Sequence, residues 1–397
     1  MKILTINCGS TSIKFKLYEM PGEIVLAECR IENIGLSNSL LTFNTNNYSE
    51  NQIKYDISNH KIGLELIIKK LSDPVKGVIR DKSEISAIGH RVVNVGDKVS
   101  GNSIIDDRII HFIEESCELA PLHNPHNLIG IKVCKEIFGS TLNVAVFDNV
   151  FHKDIPAKAY LYGIPYDYYE KYRIRKYGFH GIAYTYMVSR LAEFLNKDLK
   201  DLKIVAIMLG GGSSITAHMF GKTIDTSMGF TPAEGLFMST RSGDMDPAII
   251  TYLMKKEDLN PEEIDEIINQ KSGLLGLSRK YKDFKDIERG VLEGDPDCVR
   301  AFDSYCYRIK KYIGAYTAAM NGIDAIVMAG GIGENSSLIR QCIFEDMDFF
   351  GIRIDVDKNN NLKGEGLISC ESSRVKVFVV KLDEEIVIAR ETYKLIN

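Results

Sequence analysis

The sequence predicts an α/β protein built from two related halves, and three observations carry that expectation. A strand, a glycine turn and a second strand stand at residues 2–17, and the same pattern returns near residue 204. A third apolar run, Ile323 to Met328, also ends in a glycine cluster. Between these runs lie segments with helical periodicity, so strands and helices alternate along the chain.

The first apolar run, KILTI at 2–6, stops at Asn7-Cys8-Gly9-Ser10, and polar-apolar alternation resumes over Ser12 to Leu17. A period of two marks a strand with one face buried. The polar stretch at 36–54 reads as a loop or edge hairpin. Asn124-Pro125 opens a helical segment that stops before Gly139, with proline in the first turn and glycine at the end. The run NVAVF reads as a strand that delivers Asp148 at its carboxyl end. IVAIML at 204–209 meets Gly210-Gly211-Gly212-Ser213-Ser214, and the alternating ITAHMF follows. Asp246-Pro247 opens another helix. From Phe302 to Met320 apolar residues recur every three or four positions, the mark of a helix packed on a sheet. Gly330 to Asn335 form a third glycine cluster, and the serines after it start a helix.

Composition narrows the functional classes. Among 397 residues, 49 Lys and Arg face 54 Asp and Glu, a formal charge of −5 that lacks the basic field of a nucleic-acid binder. Hydrophobic residues at 45% and charged residues at 26% exclude disordered and collagen-like chains. The eight cysteines never fall in C-x-x-C spacing, so reduced thiols are expected. The start of the sequence has no apolar leader run, and no stretch reaches the length of a membrane span, so a cytoplasmic protein without membrane partners is expected.

There are 32 glycines against 10 prolines. A Gly/Ser turn after a strand can aim several backbone N–H groups at one point, a concavity suited to phosphate oxygens. Asn7 to Ser12 with Lys14, and Leu209 to Ser214, are two such candidates. Each alone reads more readily as an ordinary hairpin turn, and it is the pair together with the third glycine cluster that favours phosphate. Neither fits G-x-x-x-x-G-K-[ST], and no G-x-G-x-x-G follows a strand, which disfavours the P-loop and dinucleotide classes.

Taken together, NCGSTSIKFKL at 7–17, GHRVV at 89–93, APLHNP at 120–125, AVFDNVFH at 145–152, YGFHG at 177–181, DTSMGFTPAEGL at 225–236, TRSGDMDPAI at 240–249, GGIGEN at 330–335 and DEEIVIAR at 383–390 resemble the acetate kinases in family order. That family belongs to a superfamily with sugar kinases, actin and the heat-shock ATPases. The resemblance implies two ribonuclease H-like domains around a central cleft, one of residues 1–149 plus about 384–397, the other of 150–383. It also implies a magnesium-dependent, reversible transfer of the γ-phosphoryl group of ATP to acetate, giving acetyl phosphate and ADP, by a homodimer. Manganese is a possible substitute for magnesium.

Residue by residue, the resemblance makes Arg91, Asp148, His180 and Arg241 catalytic, with Arg91 also binding the carboxylate. Val93, Leu122, Phe179 and Pro232 line the acyl pocket. Ser10, Ser12, Lys14, Met208, Leu209, Gly210, Gly211, Gly212, Ser213, Asp283, Phe284, Lys285, Gly331, Ile332, Gly333, Glu334 and Asn335 bind nucleotide, and Asn7 and Glu384 stand beside the metal. The chemistry suits these residue types. A carboxylate acceptor is already anionic, so the obstacle is the approach of one anion to another, and arginine forks and positioned donors answer it. Local sequence alone leaves blander readings open: a surface arginine, a core imidazole at His180, a turn-capping Asp148, and a charged first helical turn at Glu384.

Several positions depart from the usual family text. Met208 and Gly211 replace the histidine and asparagine of the second phosphate loop, Lys285 replaces an arginine, Asn94-Val95 replaces His-Gly, and Ser239 replaces a glycine. These departures bear on the phosphoryl donor and the turnover more than on the acceptor. The alternative readings are a kinase for propionate or another short-chain acid, one with a different phosphoryl donor, and an actin-like module or weakened paralogue that only binds nucleotide.

Overall fold

The first apolar run forms strand β1 (Lys2–Cys8), which turns through Gly9 to Ser12 into the antiparallel β2 (Ile13–Glu19). In β2 the residues Ile13, Phe15 and Leu17 are buried while Lys14 is exposed, as a period of two requires. The sheet continues through β3 (Ile24–Glu32) to β4 (Leu40–Thr45) and β5 (Tyr48–Lys54), so the polar 36–54 stretch is the edge hairpin. On the other side of β1 lie β6 (Ile85–Val92) and β8 (Leu142–Phe147), both parallel to it, with the short β7 (Ser103–Ile104) at the edge.

The computed structural model describes residues 1–121 and 123–397. This first sheet belongs to a compact unit made of Met1–Val150 and Asp383–Asn397, and Phe151–Leu382 form the second. In the first unit the helices His60–Leu71 and Asn124–Phe138 share an apolar core with the β1–β3 face. The Asn124-Pro125 start and the Gly139 stop both stand where the sequence places them, and Gly139 adopts φ +61°. Ile88 of β6 faces that core, so its neighbour Gly89 faces the opposite side, against the C-terminal helix Glu384–Ile396.

The second unit repeats the plan. Strands β9 (Lys203–Leu209), β10 (Ser213–Met219) and β11 (Lys222–Thr226) are antiparallel, while β12 (Ala325–Ala329) and β14 (Lys376–Val379) run parallel to β9, with β13 (Gly366–Leu367) at the edge. Both sheets therefore contain the order 3-2-1-4-5 of a ribonuclease H-like fold, three antiparallel strands followed by two parallel ones. β9 is buried on both faces. Val205, Ile207 and Leu209 meet the long helix Pro296–Ala319, and Ile204, Ala206 and Met208 pack on the side of the helix Gly181–Leu195. Such two-sided burial explains why this strand reads as a continuous apolar run.

The third glycine cluster, Gly330–Asn335, forms a short helix. Gly330 enters it at φ +87°, where a Cβ would collide with the Leu209 carbonyl, so no other residue fits there. Ser336 caps the next helix, Ser337–Phe344, as the serines predict. All eight cysteines are free thiols, and no helix among the described residues is long and apolar enough to cross a membrane.

A Cβ at Gly89 would run into Thr392 Oγ1 and approach Ile388 Cγ2 to 2.7 Å, so this glycine sets how closely the C-terminal helix lies on β6. Gly89→Ala is expected to lower stability by about 1–3 kcal/mol, read as a fall in the urea midpoint. An unchanged midpoint would show that the helix can shift without loss.

Candidate functional site

In the first unit, Arg91 on β6 and Asp148, the residue after β8, emerge at the carboxyl ends of neighbouring parallel strands. Asp148 is fully buried and accepts two bonds through Oδ2, from Arg91 Nε at 3.1 Å and Nη2 at 2.8 Å. Arg91 Nη1 also lies 3.8 Å from Glu384 Oε2, at the start of the C-terminal helix. Burial works against the Arg91 charge, but Asp148 and Glu384 outweigh it and hold the guanidinium more firmly protonated than usual. Glu384 is pushed above the usual carboxylate range, first by burial and further by Asp148, with Arg91 opposing. The pairing of Ile6 with His90 brings Asn7 beside the Arg91 position on the neighbouring strand.

The first glycine loop has its carbonyl groups held back. Asn127 Nδ2 donates to Cys8 O at 2.9 Å, the His60 ring nitrogen Nε2 lies 2.7 Å from Gly9 O, and Gly9 N donates to Ser12 O. Asn127 Oδ1 also accepts from Val93 N, so one helix braces both the loop and the strand end beyond Arg91. Ser10 and Lys14 are exposed and Ser12 is half-buried.

In the second unit, the Gly210–Gly212 loop follows β9. A Cβ built on Gly212 would lie 3.5 Å from His180 Cε1 and Nε2 and 3.7 Å from Arg241 Nη1, so both side chains converge on this loop. Arg241 is half-buried, and burial lowers its pKa; no carboxylate pairs with it among the described residues, and its Nη1 lies 3.6 Å from Met238 Sδ. Its backbone is fixed by Met238 N donating to Arg241 O and by Gly273, whose φ of +62° lets the chain pass against the Arg241 carbonyl. Beside the loop opens a cavity of about 650 Å³, lined by Gly210, Gly211, Asp283, Phe284, Lys285, Gly331, Ile332 and Asn335.

A match to the description "Acetokinase family" extends over residues 2–390. The chain belongs to the acetokinase family. An acetate kinase of Halothermothrix orenii is 47% identical over 397 residues, covering 100% of both chains, and one of Thermosipho africanus is 50% identical over 399, covering 100% of this chain and 98% of the relative. The crystal structure of Porphyromonas gingivalis acetate kinase superposes with a TM-score of 0.93 at 42% identity, covering 100% of both chains. A propionate kinase from Francisella tularensis gives 0.92 at 35%, covering 99% of both.

Not every residue expected at the nucleotide turns its side chain toward the cavity. Met208 packs in the core beside the helix Gly181–Leu195, with its sulfur close to Gly330. Leu209 is fully buried in the other core layer. Ser213 is also fully buried, its hydroxyl 2.7 Å from Tyr305 OH and donating to Gly210 O. The Glu334 carboxylate accepts from Gly330 N at 3.0 Å and Leu382 N at 3.2 Å, so it braces the loop. Gly333 is buried below it. Asp283 caps the helix Phe284–Leu292 through Lys285 N. Of the acyl-pocket residues, Val93 is buried in the first unit and Phe179 is buried in the second, where Pro232 is half-buried. Leu122 lies outside the described residues.

Sequence reading missed the cavity-lining Glu288 and Ser336, which bond to each other, and the Tyr184 hydroxyl beside His180; it placed Ser214 in the phosphate loop, whereas its hydroxyl meets His180 and Tyr184. No local motif marks these residues. Helical spacing could have paired Tyr184 with His180, four positions earlier.

Two carboxylates, Asp148 and Glu384, stand against Arg91 and place a surplus of negative charge around it, while burial is the main reason the Glu384 carboxyl is raised. That surplus and the Asn7 amide fit a hard divalent cation. No group of three or more His, Cys, Asp or Glu could hold a metal among the described residues, so such an ion would keep waters and substrate oxygens as ligands, as magnesium does.

The sign of the Glu384 shift sets a pH dependence. Below its usual value of 4.5 the carboxyl is protonated in both folded and unfolded chains. As pH rises through the window up to the raised value, the unfolded chain releases its proton first, and the folded state loses stability. Glu384→Gln is therefore expected to raise the thermal midpoint at pH 7 by about 2–4 °C and to leave it unchanged at pH 4. Added magnesium should stabilise the original chain more than the variant. Equal shifts at both pH values would show that the carboxyl ionises freely.

Proposed function

We propose that the protein is an acetate kinase that transfers the γ-phosphoryl group of ATP to acetate, reversibly and with magnesium, as a cytoplasmic homodimer. The observation that carries this reading is Arg241. A half-buried guanidinium whose charge burial disfavours, with no carboxylate partner among the described residues and with His180 and a glycine loop beside it, suits an anion that arrives with the substrate.

In this reading an acetate oxygen attacks the γ-phosphorus, the bond from phosphorus to the β,γ-bridging oxygen breaks, and ADP leaves with that electron pair. Acetate is ionised at neutral pH, so no base is needed. Arg91 binds the carboxylate, and Asp148 holds the guanidinium in a fixed plane so that its remaining N–H groups are available. Arg241 and His180 donate to the equatorial phosphoryl oxygens, and the N–H groups of Gly210 to Gly212 hold the neighbouring phosphate. Asn7 and Glu384 would hold a magnesium ion, which would supply charge neutralisation to the phosphates. Ser10, Ser12 and Lys14 assist the phosphates, and Phe284, Lys285, Ile332 and Asn335 hold the nucleoside in the cavity. Because Met208 faces the core, it supplies no phosphate contact in place of the usual histidine.

The family's propionate kinase member supports a second acid. One methylene in an apolar pocket is worth only about 1–3 kcal/mol, so propionate should react more slowly than acetate rather than be refused. Acyl hydroxamate formation with acetate, propionate and butyrate, crossed with ATP, GTP and pyrophosphate, tests donor and acceptor together. Product from acetate and ATP is expected to dominate. No product with any pair would leave a nucleotide-binding module as the reading.

Arg241→Lys keeps the charge and loses the fork. Turnover is expected to fall by roughly 10²–10³ with the circular dichroism spectrum unchanged. Near-normal turnover would remove Arg241 from the reaction centre.

A further inference from the structure

His180 stands immediately before the helix Gly181–Leu195 in the left-handed region, at φ +59° and ψ +23°. Few non-glycine residues adopt this conformation, and it needs support from surrounding contacts. Two hydroxyls provide them. His180 Nδ1 is 2.8 Å from Ser214 Oγ on β10, and Ser214 Oγ is 2.5 Å from the hydroxyl of Tyr184, one helical turn after His180. Ser214 and Tyr184 are both fully buried.

The hydrogens in this chain can be assigned by elimination. Tyr184 remains a neutral phenol because burial raises its pKa, and Ser214 Oγ is its one hydrogen-bond partner among the described contacts. Its hydrogen therefore points at Ser214. The single Ser214 hydrogen then has one remaining place to go, His180 Nδ1. If Nδ1 carried a hydrogen instead, either the serine or the tyrosine would be left with a buried O–H and no acceptor, which is unfavourable. Only a neutral imidazole with its proton on Nε2 satisfies all three groups.

We propose that Ser214 and Tyr184 are positioning residues that hold His180 in the Nε2–H tautomer, so that it presents an uncharged N–H donor beside Gly212. The importance of this donor rests on the kinase reading above; the tautomer itself does not. Ser214 and Tyr184 act through His180 and touch no substrate in this account. Positive charge at the phosphoryl group comes from Arg241, and His180 adds direction without a second full charge.

The test is long-range ¹H–¹⁵N correlation on the full-length ¹⁵N-labelled chain at neutral pH, with His180 assigned through His180→Gln. A pyrrole-type Nε2 and a pyridine-type Nδ1 are expected. Ser214→Ala should mix the tautomers and lower kcat by about tenfold or more while KM values stay within about twofold, and Ser214→Thr, which keeps the hydroxyl, should recover both. Tyr184→Phe should behave like Ser214→Ala to a smaller degree. A protonated Nδ1 in the original chain, or an unmixed Nε2–H tautomer in Ser214→Ala, would overturn the proposal, and the first of these needs no variant to fold. An inactive chain that shows the Nε2–H tautomer would overturn the kinase reading and support the relay.

Discussion

A guanidinium that loses its water must regain that solvation from fixed groups, and the two site arginines do so differently. Arg91 is paired in advance: Asp148, buried without exposure, takes two of its N–H groups, and Glu384 approaches a third. Arg241 is held by its backbone and left without a carboxylate among the described residues. Burial of a cation without a counter-charge is costly, and an anion of the kind proposed above would offset that cost. The surrounding architecture serves this asymmetry. Parallel β6 and β8 deliver Arg91 and Asp148 at their carboxyl ends, and the loop closed by Gly273 keeps the Arg241 main chain in place.

The same economy governs the glycine loops. Carbonyl groups at Cys8 and Gly9 are occupied by Asn127 and His60, which leaves the loop free to turn its other backbone groups outward. In the second unit the Glu334 carboxylate performs a related task by binding Gly330 N and Leu382 N. Glu334, which the family resemblance assigns to the nucleotide, therefore serves the scaffold of the loop.

Much of this architecture was legible in the sequence because it is local. The two-residue period of β2, the buried run of β9 and the Asn124-Pro125 to Gly139 segment all folded as their patterns indicate. The ligand-facing side chains were less legible. Along a strand successive side chains alternate, so Met208 and Leu209, which adjoin the phosphate loop in sequence, end in opposite core layers. Ser213 looked like a loop hydroxyl, yet Tyr305, 92 residues away, claims it. Glu334 was similarly claimed by Leu382. The Ser214 and Tyr184 contacts depend on β10 meeting a helix, which no single motif encodes.

The C-terminal helix belongs to the first unit although 232 residues, Phe151–Leu382, separate it from the rest of that unit. During synthesis the β6 surface around Gly89 must wait for this helix while the whole second unit is made. At ribosomal speeds of roughly 5–20 residues per second, that interval is about 10–50 s. The nascent first unit thus carries an uncovered sheet face while the second unit is made, and Glu384, at the head of that helix, joins Arg91 only afterwards.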